Sequence, residues 1–159
     1  MDYPIKAFEL VGNGQERIKL EILEAFGFPK ETSFRGGYDV RCNLEITVGT
    51  YSCRTRQYYT ATSALYDFYI SLQDCYNKLS GKAVYSVYCP ENDLVFEVTF
   101  NQSGSVEIVG KYHDNPATKN VLHFEFCTDQ SYFKDVLGDL KKVFLTFGDK
   151  KGIKKHTNG

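Results

Sequence analysis

Residues 38–48 alternate more cleanly than any other stretch of the chain. Val40, Cys42, Leu44, Ile46 and Val48 share one face; Asp39, Arg41, Asn43, Glu45 and Thr47 share the other. A period of two marks a strand with one side buried. The same period runs through 16–26, where Ile18, Leu20 and Ile22 oppose Arg17, Lys19 and Glu21. Residues 5–11 read as a strand before it, joined by Gly12-Asn13-Gly14, whose residues accept positive φ. Gly27, Pro29, Gly36 and Gly37 punctuate a loop over 27–37. After Gly49-Thr50 the chain returns through 51–59, where alternation is weak and polar residues prevail; such a strand belongs at a sheet edge. The period then changes. Leu65, Phe68, Tyr69, Leu72, Tyr76 and Leu79 recur at helical spacing, with Thr60 to Ser63 as candidate caps and Gly81 as the stop.

The second half follows the same plan. Strands are predicted over 83–89, 94–100, 105–112 and 121–127, with Pro90-Glu91-Asn92-Asp93 and Gly104 in turns. Thr128 or Asp129 caps a last helix, whose stripe is Phe133, Val136, Leu137, Leu140, Val143, Phe144 and Phe147 before Gly148. The halves share an architecture without aligning residue by residue. The fold class is therefore α+β: about eight antiparallel strands in two meanders, each followed by an amphipathic helix, with the helices packed on the sheet. The pattern leaves open whether the strands form one curved sheet or two packed ones. Residues 1–148 read as a single domain and 149–159 as a basic, disordered tail.

Composition narrows the function classes. A chain of 159 residues buries enough surface to fold without a disulfide or metal. The formal net charge of −1 is uneven: residues 1–148 carry 15 basic against 19 acidic side chains, and the tail sets four lysines against Asp149. An acidic body argues against direct nucleic-acid binding, which needs phosphates neutralised. Met1-Asp2-Tyr3-Pro4 has neither the basic region nor the apolar run of a signal peptide, and no stretch approaches a membrane span of about 18 apolar residues. Five cysteines, an odd count without a Cys-x-x-Cys pair, fit reduced thiols in a cytoplasmic protein.

Candidate chemistry is thin. His113-Asp114 has the composition of a proton-transfer pair but sits in a loop, where it reads as a solvated turn. His123 alternates with Leu122 and Phe124 and so faces away from their side; His156 lies in the tail. No two histidines have metal-ligand spacing, and no metal or cofactor is expected. Cys42, Cys75 and Cys127 fall inside strands or the helix, where small buried thiols are common. Gly12-Asn13-Gly14 precedes a strand, whereas a phosphate loop needs a helix N-terminus. These absences argue against an enzyme.

The twelve tyrosines are the better functional indication, because exposed tyrosine beside mixed charge suits protein interfaces. Tyr38, Asp39, Tyr51, Tyr58, Tyr59, Glu91 and Asp93, on the polar strand and nearby loops, are the expected partner contacts. The competing reading packs the rings under the helix or over the outer sheet face.

The stretches FELVGNGQERIKLEI (8–22), FRGGYDVRCNLEI (34–46), SALYDFY (63–69), SVYCPENDLVFEV (86–98), DQSYF (129–133) and VLGDLKK (136–142) resemble the WapI-type immunity proteins of bacteria, over residues 5–148. The resemblance implies a small cytoplasmic protein that binds and neutralises a cognate contact-dependent toxin C-terminal domain, typically a tRNA-cleaving nuclease, without contacting membrane or nucleic acid itself. It brings no interface motif with it. The alternative reading of the residues is a small-molecule or lipid binding module, with a cavity between curved sheet and helix lined by the Phe-rich strands 94–100 and 122–126.

Overall fold

The computed structural model describes residues 2–87, 89–90 and 92–153. The strands are β1 (Ile5–Val11), β2 (Arg17–Ala25), β3 (Asp39–Val48), β4 (Tyr51–Ala61), β5 (Gly81–Tyr85), β6 (Asp93–Phe100), β7 (Ser105–His113) and β8 (Val121–Asp129). The helices are α1 (Thr62–Lys78) and α2 (Phe133–Phe147), the latter entered through a 3-10 turn over Gln130–Tyr132. The fold is α+β, with its eight antiparallel strands in two four-stranded sheets, ordered β1-β2-β3-β4 and β5-β6-β7-β8. None of the helices among the described residues is long and apolar enough to cross a membrane.

The two sheets share one core. Phe8 from β1, Phe68 from α1, Tyr85 from β5 and Phe96 from β6 form a cluster in which every ring touches the other three. The six centroid distances run from 5.2 to 5.9 Å, mostly edge to face. Three of these rings are fully buried and Phe68 is 1 % exposed. Ile18, Leu20 and Ile22 of β2 and Cys42, Leu44 and Ile46 of β3 extend the core on one side; Val98, Val106 and Ile108 extend it on the other. The helices lie against β5 and β1 respectively and meet through Tyr66 and Tyr69 of α1 on Phe144 of α2. Phe96 and Phe100, expected to line a ligand cavity, pack instead against Phe8, Phe68 and Phe133.

Tyr85 needs partners for its hydroxyl at this depth, because an unpaired buried O–H is costly. Its oxygen lies 2.7 Å from the Tyr58 hydroxyl and 2.9 Å from Thr60 Oγ1, so three buried hydroxyls satisfy one another between β4 and β5. Burial, and then the neighbouring phenol of Tyr85, holds the Tyr58 hydroxyl well above its ordinary 10.0; burial raises Tyr85 likewise. At Gly110 β7 lies against β6 without room for a side chain: an added methyl would overlap Phe96 Cβ and the Val95 carbonyl oxygen.

Several local expectations need correction. The hydroxyls of residues 60–63 do not cap α1; its N-cap is Ala61, which makes no side-chain cap. Thr62 Oγ1 instead accepts from the Tyr38 amide at 2.8 Å, and Ser63 Oγ donates to the Arg35 carbonyl at 2.9 Å, so tertiary bonds tie loop 26–38 to the helix start. The strand expected over 83–89 ends at Tyr85, short of the turn. Part of the expected tail is built into the body. The Gly37 amide donates to the Lys150 carbonyl at 2.6 Å, the Ile153 amide to the Tyr38 hydroxyl at 3.1 Å, and that hydroxyl to the Pro29 carbonyl at 3.2 Å. Residues 154–159 lie outside the described residues.

Phe68→Ala removes the ring common to helix and both sheets and is expected to cost about 3–5 kcal/mol in a urea melt. Gly110→Ala is expected to cost about 1–3 kcal/mol in the same measurement, because strand backbone has to move. Stability is also expected to fall as pH rises above 10.0. The unfolded phenols ionise there, while burial keeps Tyr58 and Tyr85 protonated in the fold, so the unfolded state is the one that gains. Thermal melts on either side of that pH check it, and Tyr85→Phe should flatten the fall.

Candidate functional site

The inner faces of the two sheets part beside β4 and leave a groove of about 1100 Å³. The β3–β4 register explains its position. Tyr51, Cys53 and Thr55 pair with Val48, Ile46 and Leu44, which places them on the core side of the first sheet. Tyr51 is exposed and Cys53 and Thr55 are half-buried, and these residues form one wall. Tyr112, Asp114, Asn115, Asn120 and Leu122, from the facing ends of β7 and β8 and the loop between them, form the other. A β-bulge follows: Tyr58 pairs with Cys42 although Thr55 pairs with Leu44. The extra residue shifts the alternation, so Tyr58 and Thr60 enter the core. The bulge is closed by its own side chains, with the Gln57 amide donating to Thr55 Oγ1 at 3.0 Å and Arg41 Nη1 to the Arg56 carbonyl at 3.0 Å.

Asn92, buried just before β6, fastens the sheets together. Its Oδ1 accepts from the Tyr59 amide at 3.1 Å and its Nδ2 donates to the Tyr59 carbonyl at 3.4 Å. That pair of bonds occupies the outward backbone groups of an edge strand at one residue. Tyr59 also donates its hydroxyl to Gln57 Oε1 at 2.8 Å. His113 Nε2 lies 2.6 Å from the Thr118 carbonyl oxygen and holds the β7–β8 loop in place. Among the described residues no hydrogen bond or ion pair joins it to Asp114. Burial, and then the Asp114 carboxylate, pushes the Tyr112 hydroxyl up to about 12 and raises the Cys53 thiol. Both stay protonated at neutral pH and face the groove as hydrogen-bonding groups. No group of three or more metal-ligating side chains occurs among the described residues.

The expected contact residues divide. Tyr51, 65 % exposed, and the half-buried Tyr59 come together on the groove. Tyr38 and Tyr58 are fully buried and present no surface: the first is wedged among Phe28, Phe147 and the terminal strap, and the second is turned inward by the bulge. Asp39 is half-buried and held within its own loop, accepting from Ser33 Oγ at 2.8 Å with Arg35 at 3.8 Å. Asp93 lies on the second sheet, opposite His113. Glu91 lies outside the described residues. Sequence reasoning missed Tyr112, Asn115 and Asn120 and read Asp114 as part of a solvated turn; all four reach the groove through long-range packing. It also missed Phe34, 88 % exposed, with the Arg35 guanidinium 5.4 Å from its ring centre. Cys127, expected among buried thiols, is exposed.

No curated protein matches the chain. One solved structure that resembles it is the "CdiA-CT/CdiI toxin and immunity complex from Enterobacter cloacae". The TM-score is 0.41 at 12% sequence identity, and the match covers 75% of this chain and 98% of that chain. The sequence profile of the immunity protein WapI-like family matches residues 9–148, nearly the whole of both sheets and both helices. The chain belongs to the immunity protein WapI-like family.

Proposed function

We propose that the protein binds and neutralises a cognate contact-dependent toxin domain in the cytoplasm. It acts by stoichiometric protein–protein contact and carries out no reaction of its own. Membership of the immunity family over residues 9–148 carries this reading. The toxin class that fits is a nuclease acting on tRNA. Such an enzyme needs a cationic cleft to hold phosphates, and the body of this chain is acidic.

The contact surface is the groove with its aromatic rim. Tyr51 and Tyr59 are large, rigid and partly exposed, with hydroxyls able to bond a partner, the combination that anchors interfaces at modest entropic cost. Asn115, Asn120 and Gln57 supply donors and acceptors for a polypeptide. Asp39, Glu91 and Asp93 contribute negative charge, which affects encounter more than final affinity.

The purified protein is expected to co-elute with the toxin domain encoded beside its gene at one-to-one stoichiometry, and to block that domain's cleavage of tRNA. Tyr51→Ala with Tyr59→Ala should weaken the complex about 100-fold in calorimetry, at roughly 1–2 kcal/mol per anchor, with the melting temperature little changed. Absence of a complex at micromolar concentration overturns the reading.

A further inference from the structure

The outer faces of the two sheets handle charge differently. On the first sheet, acidic and basic side chains neutralise one another, across strands in Arg17 with Glu9 at 2.6 Å, Arg41 with Glu24 at 3.3 Å and Arg54 with Glu45 at 3.6 Å, and along β2 in Lys19 with Glu21 at 3.7 Å. On the second sheet Lys82 and Glu97, 3.1 Å apart, form the one ion pair seen on that face among the described residues. Glu107 and Glu125 are exposed there and carry no ion pair among the described residues. The register places Val84, Glu97, Val109 and Glu125 in a single row across all four strands, so apolar and acidic groups alternate along it. Val84 and Val109 are 45 % and 39 % exposed, although β-branched strand residues pack well against a covering surface. No helix among the described residues covers this face; the side chains of β6 that point inward, Leu94, Phe96, Val98 and Phe100, are the ones packed in the core.

This face is continuous with the groove. Val121, on the same side of β8 as Glu125, lines the groove as well. On this face the pair Lys111 and His123 separates Val121 from Val109 and Glu125, so a partner resting on Tyr51 and Tyr59 reaches the unpaired carboxylates by passing one exposed lysine.

We propose that the outer face of the β5–β8 sheet is a second part of the docking surface, and that it takes a basic, partly apolar surface of the partner protein. The inference rests on the toxin-binding reading and adds to it where the toxin's cationic side is covered. Glu107 and Glu125 attract and orient that side, and Val109 and Val84 supply the dry contact around which it seats. Nucleic acid is repelled by the same carboxylates, and a second copy of this chain would set like charges opposite each other.

Stopped-flow association with a catalytically inactive form of the adjacent toxin domain tests this at low and high salt. Glu107→Lys with Glu125→Lys should slow association about tenfold at low salt and remove most of its salt dependence. Val109→Asp should speed dissociation, with the circular dichroism spectrum unchanged in both variants. If the unaltered protein binds but these variants bind with the same rates, the second surface is refuted and the groove stands. If the unaltered protein does not bind, both readings fall. A self-dimer of the free chain that Glu107→Lys with Glu125→Lys disrupts also refutes the proposal in favour of self-association.

Discussion

Four aromatic rings that mutually touch hold this molecule together. Phe8, Phe68, Tyr85 and Phe96 come from β1, α1, β5 and β6, so the cluster joins elements from both sheets and the helix between them in sequence. Each meander alone has one apolar face and no means of covering it. Apposing the faces around α1 covers both, and edge-to-face packing fixes their relative setting. Tyr85 adds a polar tether to the same point, because its hydroxyl is satisfied by Tyr58 and Thr60 of β4. Rotation of one sheet against the other would strand buried hydroxyls as well as open the ring cluster.

That setting also creates the groove. The β4 bulge turns Tyr58 and Thr60 into the core and leaves Tyr51, Cys53 and Thr55 facing a gap between the sheets. The half of β4 beyond the bulge serves stability and the half before it is left open, so one strand supplies both the inter-sheet tether and the rim of the candidate site. Asn92 occupies the backbone of the edge at Tyr59 from the second sheet, so the groove's position depends on the inter-sheet contact. A surface whose shape follows from a rigid core suits recognition, because little ordering remains to be done on binding.

The sequence alone determined the α+β class, the strand and helix periods, the apolar stripes and the family. The family follows from the likeness of whole stretches of sequence; the rest follows from local alternation and side-chain type, as in β3, where every second residue is apolar, and in α2, whose stripe keeps a helical period. The poor alternation of 51–59 also marked β4 correctly as an edge. Tertiary structure decided the division into two sheets, the groove, the burial of Tyr38 and Tyr58, and the anchoring of residues 149–153 against loop 26–38. Each depends on a contact between positions far apart in the chain or on one extra residue in a strand. A single bulge reverses which face every later side chain takes, and the local pattern of residue types carries no mark of where it falls.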